Sequence, residues 1–118
     1  MPDDAVLEPG ALDELLEAGG DDAAFVATLL QEFAGEAPGL LAALRDAVAR
    51  GDGEAAAGAA HTLRSNAAIF GARRLRAVCA DLETRARAGE LRPGEPLVGA
   101  IEHACAEAQA HLAARLAT

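Results

Sequence analysis

Between Phe25 and Val48, apolar residues return every three or four positions. Phe25, Leu29 and Phe33 lead the stripe with Val26 and Leu30 alongside, and Ala37, Leu41, Leu44 and Val48 continue it. This is the period of an α-helix that buries one face. Pro38 interrupts the run. Proline removes a backbone donor and clashes one turn back, so a bend there or a break near Gly35 is expected, and the unbroken register favours the bend. Upstream, Leu12, Leu15 and Leu16 predict a short amphipathic helix closed by Gly19 and Gly20. Asp21 or Asp22 can then cap the long helix through the free N–H groups of its first turn.

The same period recurs three times downstream. "RGDGEAA" ends the long helix and starts another, with Asp52 as the expected cap. The next helix, over roughly residues 54–70, buries Ala56, Ala59, Ala60, Leu63, Ala67 and Phe70 and stops at Gly71. A further helix from about Ala72 carries Leu75, Val78, Cys79 and Leu82. "AGELRPGEP" reads as a loop, with Pro96 suited to the first turn of a last helix. Its seam is Leu97, Ile101, Cys105, Ala108, Leu112 and Leu116. Four long amphipathic helices with short connections predict an all-α fold. The expected architecture is an antiparallel up-and-down four-helix bundle with a short extra N-terminal helix, spanning residues 1–118 as a single domain.

Composition supports this class. Apolar residues make up 52% of the chain and aromatics only 3%, so leucine, alanine, valine and three phenylalanines must build the core. The net charge of −9 argues against binding nucleic acid or an anionic membrane surface, and every cation is an arginine. No stretch approaches the ~18 consecutive apolar residues of a membrane span. "MPDDAVLEPG" lacks a signal-peptide pattern, and Cys79 and Cys105 have neither metal-ligand nor CxxC spacing. A cytoplasmic monomer with two reduced, buried thiols is expected.

One helix carries a polar group of a different kind. Two steps along a helix turn it by ~200°, so His61 points away from the core position Leu63. Its neighbours one turn away are Ala57, Gly58, Arg64 and Ser65, with Ala68 one turn beyond. Apart from Arg64 these are small, so a partner surface could approach the imidazole closely. A lone surface histidine is ordinarily just a solvated side chain, but Glu83 adds a second element. If residues 69–72 form the turn, His61 faces a point near Ala80 on the neighbouring helix, and Glu83 lies ~5 Å farther from the connection. Each side chain leans toward the N-terminus of its own helix, which closes that gap. A carboxylate accepting the Nδ1–H would fix the tautomer and leave Nε2 unprotonated and nucleophilic.

"AAHTLRSNAAIFGARRLRAVCADLE" resembles the signature of histidine-containing phosphotransfer (HPt) domains. That pattern runs roughly His-x-Leu-Lys-Gly-Ser, a few residues, Phe/Leu-Gly-Ala, then a leucine-rich helix. His61, Leu63, Phe70, Gly71, Ala72, Leu75 and Leu82 fall at the corresponding places. Glu83 matches a site where the family carries Gln or Glu bonded to the ring. The likeness extends upstream through "LLQEFAGEAPGLLAALRDAVARGD". It implies that His61 takes a phosphoryl group from a receiver-domain aspartyl phosphate and passes it to another receiver. The expected partners are response-regulator receiver domains and a hybrid sensor histidine kinase. It implies no cofactor of the chain's own, since the receiver supplies Mg²⁺, and no ATP chemistry. Arg64 stands for the usual lysine, and its planar fork is not equivalent to a compact ammonium. Ser65 replaces the family's glycine and Asn66 its serine, which bears on transfer rate and partner choice.

Other features admit plainer readings. His103, Glu107 and His111 recur at a spacing that can bind a metal, but on a face read as solvated, so no metal site is expected. Arg73, Arg74 and Arg76 form either a solvated face or a contact for an acidic receiver rim. Three functional classes follow: a phosphorelay carrier, an HPt-like docking or inhibitory module without transfer, and an unrelated helical adaptor.

Overall fold

The computed structural model describes residues 2–117. Its elements are α1 (Asp3–Val6), α2 (Ala11–Ala18), α3 (Ala23–Arg50), α4 (Gly53–Phe70), α5 (Arg73–Arg87) and α6 (Pro96–Leu116). The last four form the bundle. α3 packs on α4, α4 on α5, α5 on α6, and α6 closes back on α3, with short connections that make successive helices antiparallel.

Local chemistry sets the helix ends. The Asp22 carboxylate accepts from the Ala24 and Phe25 N–H groups at 3.0 and 3.3 Å, which settles the choice of cap for α3. Asp52 does the same for α4, from the Ala55 N–H at 3.0 Å. α3 runs unbroken through Pro38. α4 stops at Gly71, whose φ of 65° suits glycine. A Cβ built there would sit 2.2 Å from the Cβ of Ala11, so both backbone and space demand glycine.

The core is a column of Leu44, Leu63, Leu75, Leu82, Ile101 and Leu112, all fully buried, with Cys79 and Cys105 among them. Truncating one such leucine in a close-packed interior costs about 2–5 kcal/mol. Burial pushes the Cys79 thiol up to about 12, with nearby Cys105 adding to the effect, so this sulfur is inert filler. Phe33 and Phe70 stack obliquely across α3 and α4, with ring centres 5.8 Å apart. Between α3 and α6, Arg45 pairs with Glu102.

The periodic stripes need four corrections. Phe25 is 48% exposed, because the first turn of α3 overhangs its partner helices and the ring lies over the Gly19 turn. Leu29, Leu41, Ala59, Val78, Leu97 and Leu116 are only partly buried. Val98 and Ala104 do bury on α6, so the seam there is wider than the expected line. The N-terminus also forms two short helices, where one was expected. Four-residue α1 is too short to show a period, and its place is set by tertiary contacts. Val6, Leu7 and Leu12 are buried, and the Glu8 N–H donates to the Gly71 carbonyl at 2.7 Å.

Candidate functional site

His61 stands at the middle of α4, with its side chain 53% exposed. Glu83, on α5, is its mirror image in burial, at 14%. The antiparallel turn at Gly71 brings the two together. Nδ1 of His61 lies 3.1 Å from Glu83 Oε1, leaving Nε2 on the other edge of an exposed ring. Arg64, one turn along α4, reaches the same pair. Its Nη2 is 3.0 Å from His61 Nδ1 and donates to Glu83 Oε2 at 3.3 Å. Arg87 approaches Glu83 Oε2 from the next turn of α5, at 3.7 Å.

These contacts act on the carboxylate. Burial is the largest single influence on Glu83 and pushes its carboxyl up. The hydrogen bond with His61, the charge of Arg64 and then those of His61 and Arg87 together outweigh it, so the group lies below the usual carboxylate range. Glu83 is therefore an anion at neutral pH, able to accept a ring N–H but not to donate. In the tautomer that donates Nδ1–H to Glu83, the ring keeps an Nε2 lone pair for a phosphorus or another electrophile.

The surface beside the ring is open. Gly58, Ser65 and Ala68 are exposed, and a methyl group added at Gly58 would meet nothing within 4 Å in the protein. Thr62 folds its hydroxyl back onto the Gly58 carbonyl at 3.2 Å. Asn66 is half-buried, with its Nδ2 enclosed and without a hydrogen-bond partner. Ala57 departs from expectation. It is buried, because it lies on the flank that α5 covers, near the point where a Cβ on Gly53 would meet the Ala86 carbonyl at 2.7 Å. It belongs to the core rather than to the approach surface of His61.

The other sequence candidates are drawn into internal contacts. His111 Nδ1 lies 2.7 Å from Asp3 Oδ1, turned to the N-terminal segment and not to His103. Glu107 is largely enclosed beside Arg74, at 3.7 Å, and His103, at 3.8 Å, so the supposed solvated face is partly covered. Among the described residues, no group of three or more His, Cys, Asp or Glu side chains is arranged to hold a metal. Arg73 donates to the Asp4 carbonyl at 3.2 Å, and Arg76 lies 3.7 Å from Glu8. Sequence reasoning missed the role of Asp3 in holding α1. A contact between positions 108 residues apart leaves no local signal.

Among the described residues, no helix is long and apolar enough to cross a membrane. A family model for the Hpt domain matches residues 28–111, taking in α4 and α5 whole and leaving α1 and α2 outside. No curated protein and no solved structure matches the chain. The match covers more than two thirds of the sequence and coincides with the helical bundle, and the chain accordingly belongs to the Hpt domain family, the histidine-containing phosphotransfer domains of two-component signalling.

Proposed function

We propose that the protein is a phosphorelay carrier in which His61 holds the phosphoryl group between two receiver domains. The observation that supports this most is the pairing of an exposed imidazole with a largely buried carboxylate through Nδ1. In the transfer, the Nε2 lone pair of His61 attacks the phosphorus of a receiver aspartyl phosphate. The P–N bond forms as the acyl P–O bond breaks, and the aspartate leaves as a carboxylate. The proton on Nδ1 remains in its hydrogen bond to Glu83, which offsets the positive charge developing on the ring. The return step runs the same bonds in reverse toward the next receiver.

Arg64 supplies a cation within reach of the ring, while Gly58, Ser65 and Ala68 leave room for the receiver surface. The Mg²⁺ for such a transfer is carried by the receiver, and the chain works without a cofactor of its own. The partners are response-regulator receiver domains, one of them attached to a hybrid sensor kinase, and the carrier acts as a cytoplasmic monomer. Incubation with a panel of phosphorylated receivers and Mg²⁺ tests the reading. Acid-labile, base-stable label on the wild type and none on His61→Gln is the expected result. Receiver binding without any label would support the docking-module alternative instead.

A further inference from the structure

Two groups claim the same ring atom. Nδ1 of His61 lies 3.1 Å from Glu83 Oε1 and 3.0 Å from Arg64 Nη2. A ring nitrogen presents either an N–H or a lone pair, never both at once. The carboxylate can only accept and the guanidinium can only donate. The two contacts therefore cannot be hydrogen bonds in the same tautomer. With Nδ1 protonated, Glu83 is bonded, two donors face each other at Arg64, and Nε2 carries the lone pair that attacks phosphorus. With Nδ1 unprotonated, Arg64 is bonded and the proton of the neutral ring sits on Nε2, which then cannot attack.

A further observation concerns the posture of the arginine. Its Nε is buried and has no hydrogen-bond partner, although Nη2 bridges His61 and Glu83. The inward pose thus leaves one charged donor unsatisfied, and movement outward would relieve it. Glu83 keeps Arg87 nearby at 3.7 Å, so the carboxylate retains a cation when Arg64 leaves.

We propose that Arg64 is a positioning residue that gates His61. Its inward pose favours the unreactive Nε2–H tautomer, and its departure toward an incoming phosphoryl group releases the reactive Nδ1–H tautomer held by Glu83. This rests on the reading of His61 as the phosphoryl acceptor. In the switch, one proton leaves Nε2 for water and another is taken up at Nδ1, so the ring stays neutral until attack. Once the P–N bond has formed, Nδ1 keeps its proton on Glu83. Arg64 can no longer bond to it and is left to pair with the phosphoryl oxygens. The charged groups facing the ring are thus Arg64 from α4 and Glu83 from α5, with Arg87 behind the carboxylate.

The test reads the tautomer directly. Ring ¹⁵N NMR of the unphosphorylated protein would be recorded at the alkaline plateau, where the ring shifts no longer change with pH. Arg64→Ala should move the Nδ1–H to Nε2–H ratio toward Nδ1–H by about threefold or more. Arg64→Met keeps the aliphatic stem's packing without the donors and should do the same. Glu83→Ala should move the ratio the opposite way. Equal ratios in the wild type and both Arg64 variants would overturn the gate, as would a shift in the same direction as Glu83→Ala. In parallel, all four proteins would be treated with phosphoramidate and with phosphorylated receivers. Normal labelling of wild-type His61 beside equal ratios would overturn the gate alone. Absence of label from every donor would overturn the carrier reading and the gate with it, whatever the ratios.

Discussion

Two of the histidine–carboxylate pairs among the described residues differ in which partner is hidden. At His61 the ring is 53% exposed and the carboxylate of Glu83 is 14% exposed. At His111 the order reverses, with the ring 21% exposed and the carboxylate of Asp3 43%. Both pairs use Nδ1, and each has an arginine on the carboxylate, Arg64 at 3.3 Å and Arg115 at 3.0 Å. The chemistry available to them differs. An exposed ring on a fixed base offers its second nitrogen to a partner. A tucked ring bound to a surface carboxylate fastens one segment to another, here α1 to α6. Both pairs join a histidine to a carboxylate at hydrogen-bond distance, and burial is what sets the proposed reactive pair apart from the fastening one.

The largest expected effect breaks the comparison outright. His61→Gln should abolish phosphoryl acceptance while leaving helical content intact, whereas His111→Gln should leave acceptance unchanged and loosen α1. Label transfer from a phosphorylated receiver, with circular dichroism as the control for folding, measures both. Equal loss in the two variants would mean that exposure does not separate the pairs.

A smaller effect is expected from the carboxylates. Glu83→Ala removes a charge-assisted hydrogen bond of ~1.5–3 kcal/mol, and transfer should slow roughly ten- to hundredfold. Glu83→Gln should regain most of the ring's orientation through its amide oxygen and lie within a few-fold of the wild type. Asp3→Ala should leave the rate alone. Single-turnover transfer kinetics on the three variants decide the matter, and an unimpaired Glu83→Ala would remove the anchoring role of that residue.

The smallest effect is one of pH. The hydrogen bond with His111, foremost, holds the Asp3 carboxyl below its usual range. Burial opposes this, and the bond and charge of Arg115 support it. A depressed carboxyl contributes stability that is fully present above its unfolded value of about 3.9 and is lost as pH falls through the folded value. The α1 fastening should therefore weaken only in that acidic window. Amide exchange at Leu7 and Glu8, whose N–H groups bond to the Asp3 and Gly71 carbonyls, reports it. Asp3→Asn should remove the acid step, and an unchanged step in that variant would assign it to another group.

The same contrast shows what was legible in the sequence. The bundle helices were, because burial on one face of a long helix imposes a period, which Val26, Leu30, Phe33, Ala37 and Leu44 display along α3. The meeting of His61 and Glu83 was also accessible, since a tight turn at Gly71 makes helix register simple arithmetic. Phe25 misled because its period continues beyond the end of the neighbouring helices. Ala57 misled because a helical wheel gives direction but not which flank a neighbour covers. The Asp3–His111 fastening was not legible, as it joins the two ends of the described chain through geometry alone.

Gly58 has a consequence for evolution under heat. A glycine inside a helix is about 1 kcal/mol less favourable than alanine, and nothing in this fold requires one at that position, since an added methyl would meet only open space. Selection of variants for thermal tolerance alone should therefore enrich Gly58→Ala, with a melting temperature raised by several degrees. The same methyl stands one turn from His61, where the proposed transfer would bring a receiver close. A lineage adapted only to heat would thus acquire a sturdier carrier that exchanges its cargo more slowly, and competition between the two alleles would reverse sign when signalling speed, rather than survival at high temperature, is the trait under selection.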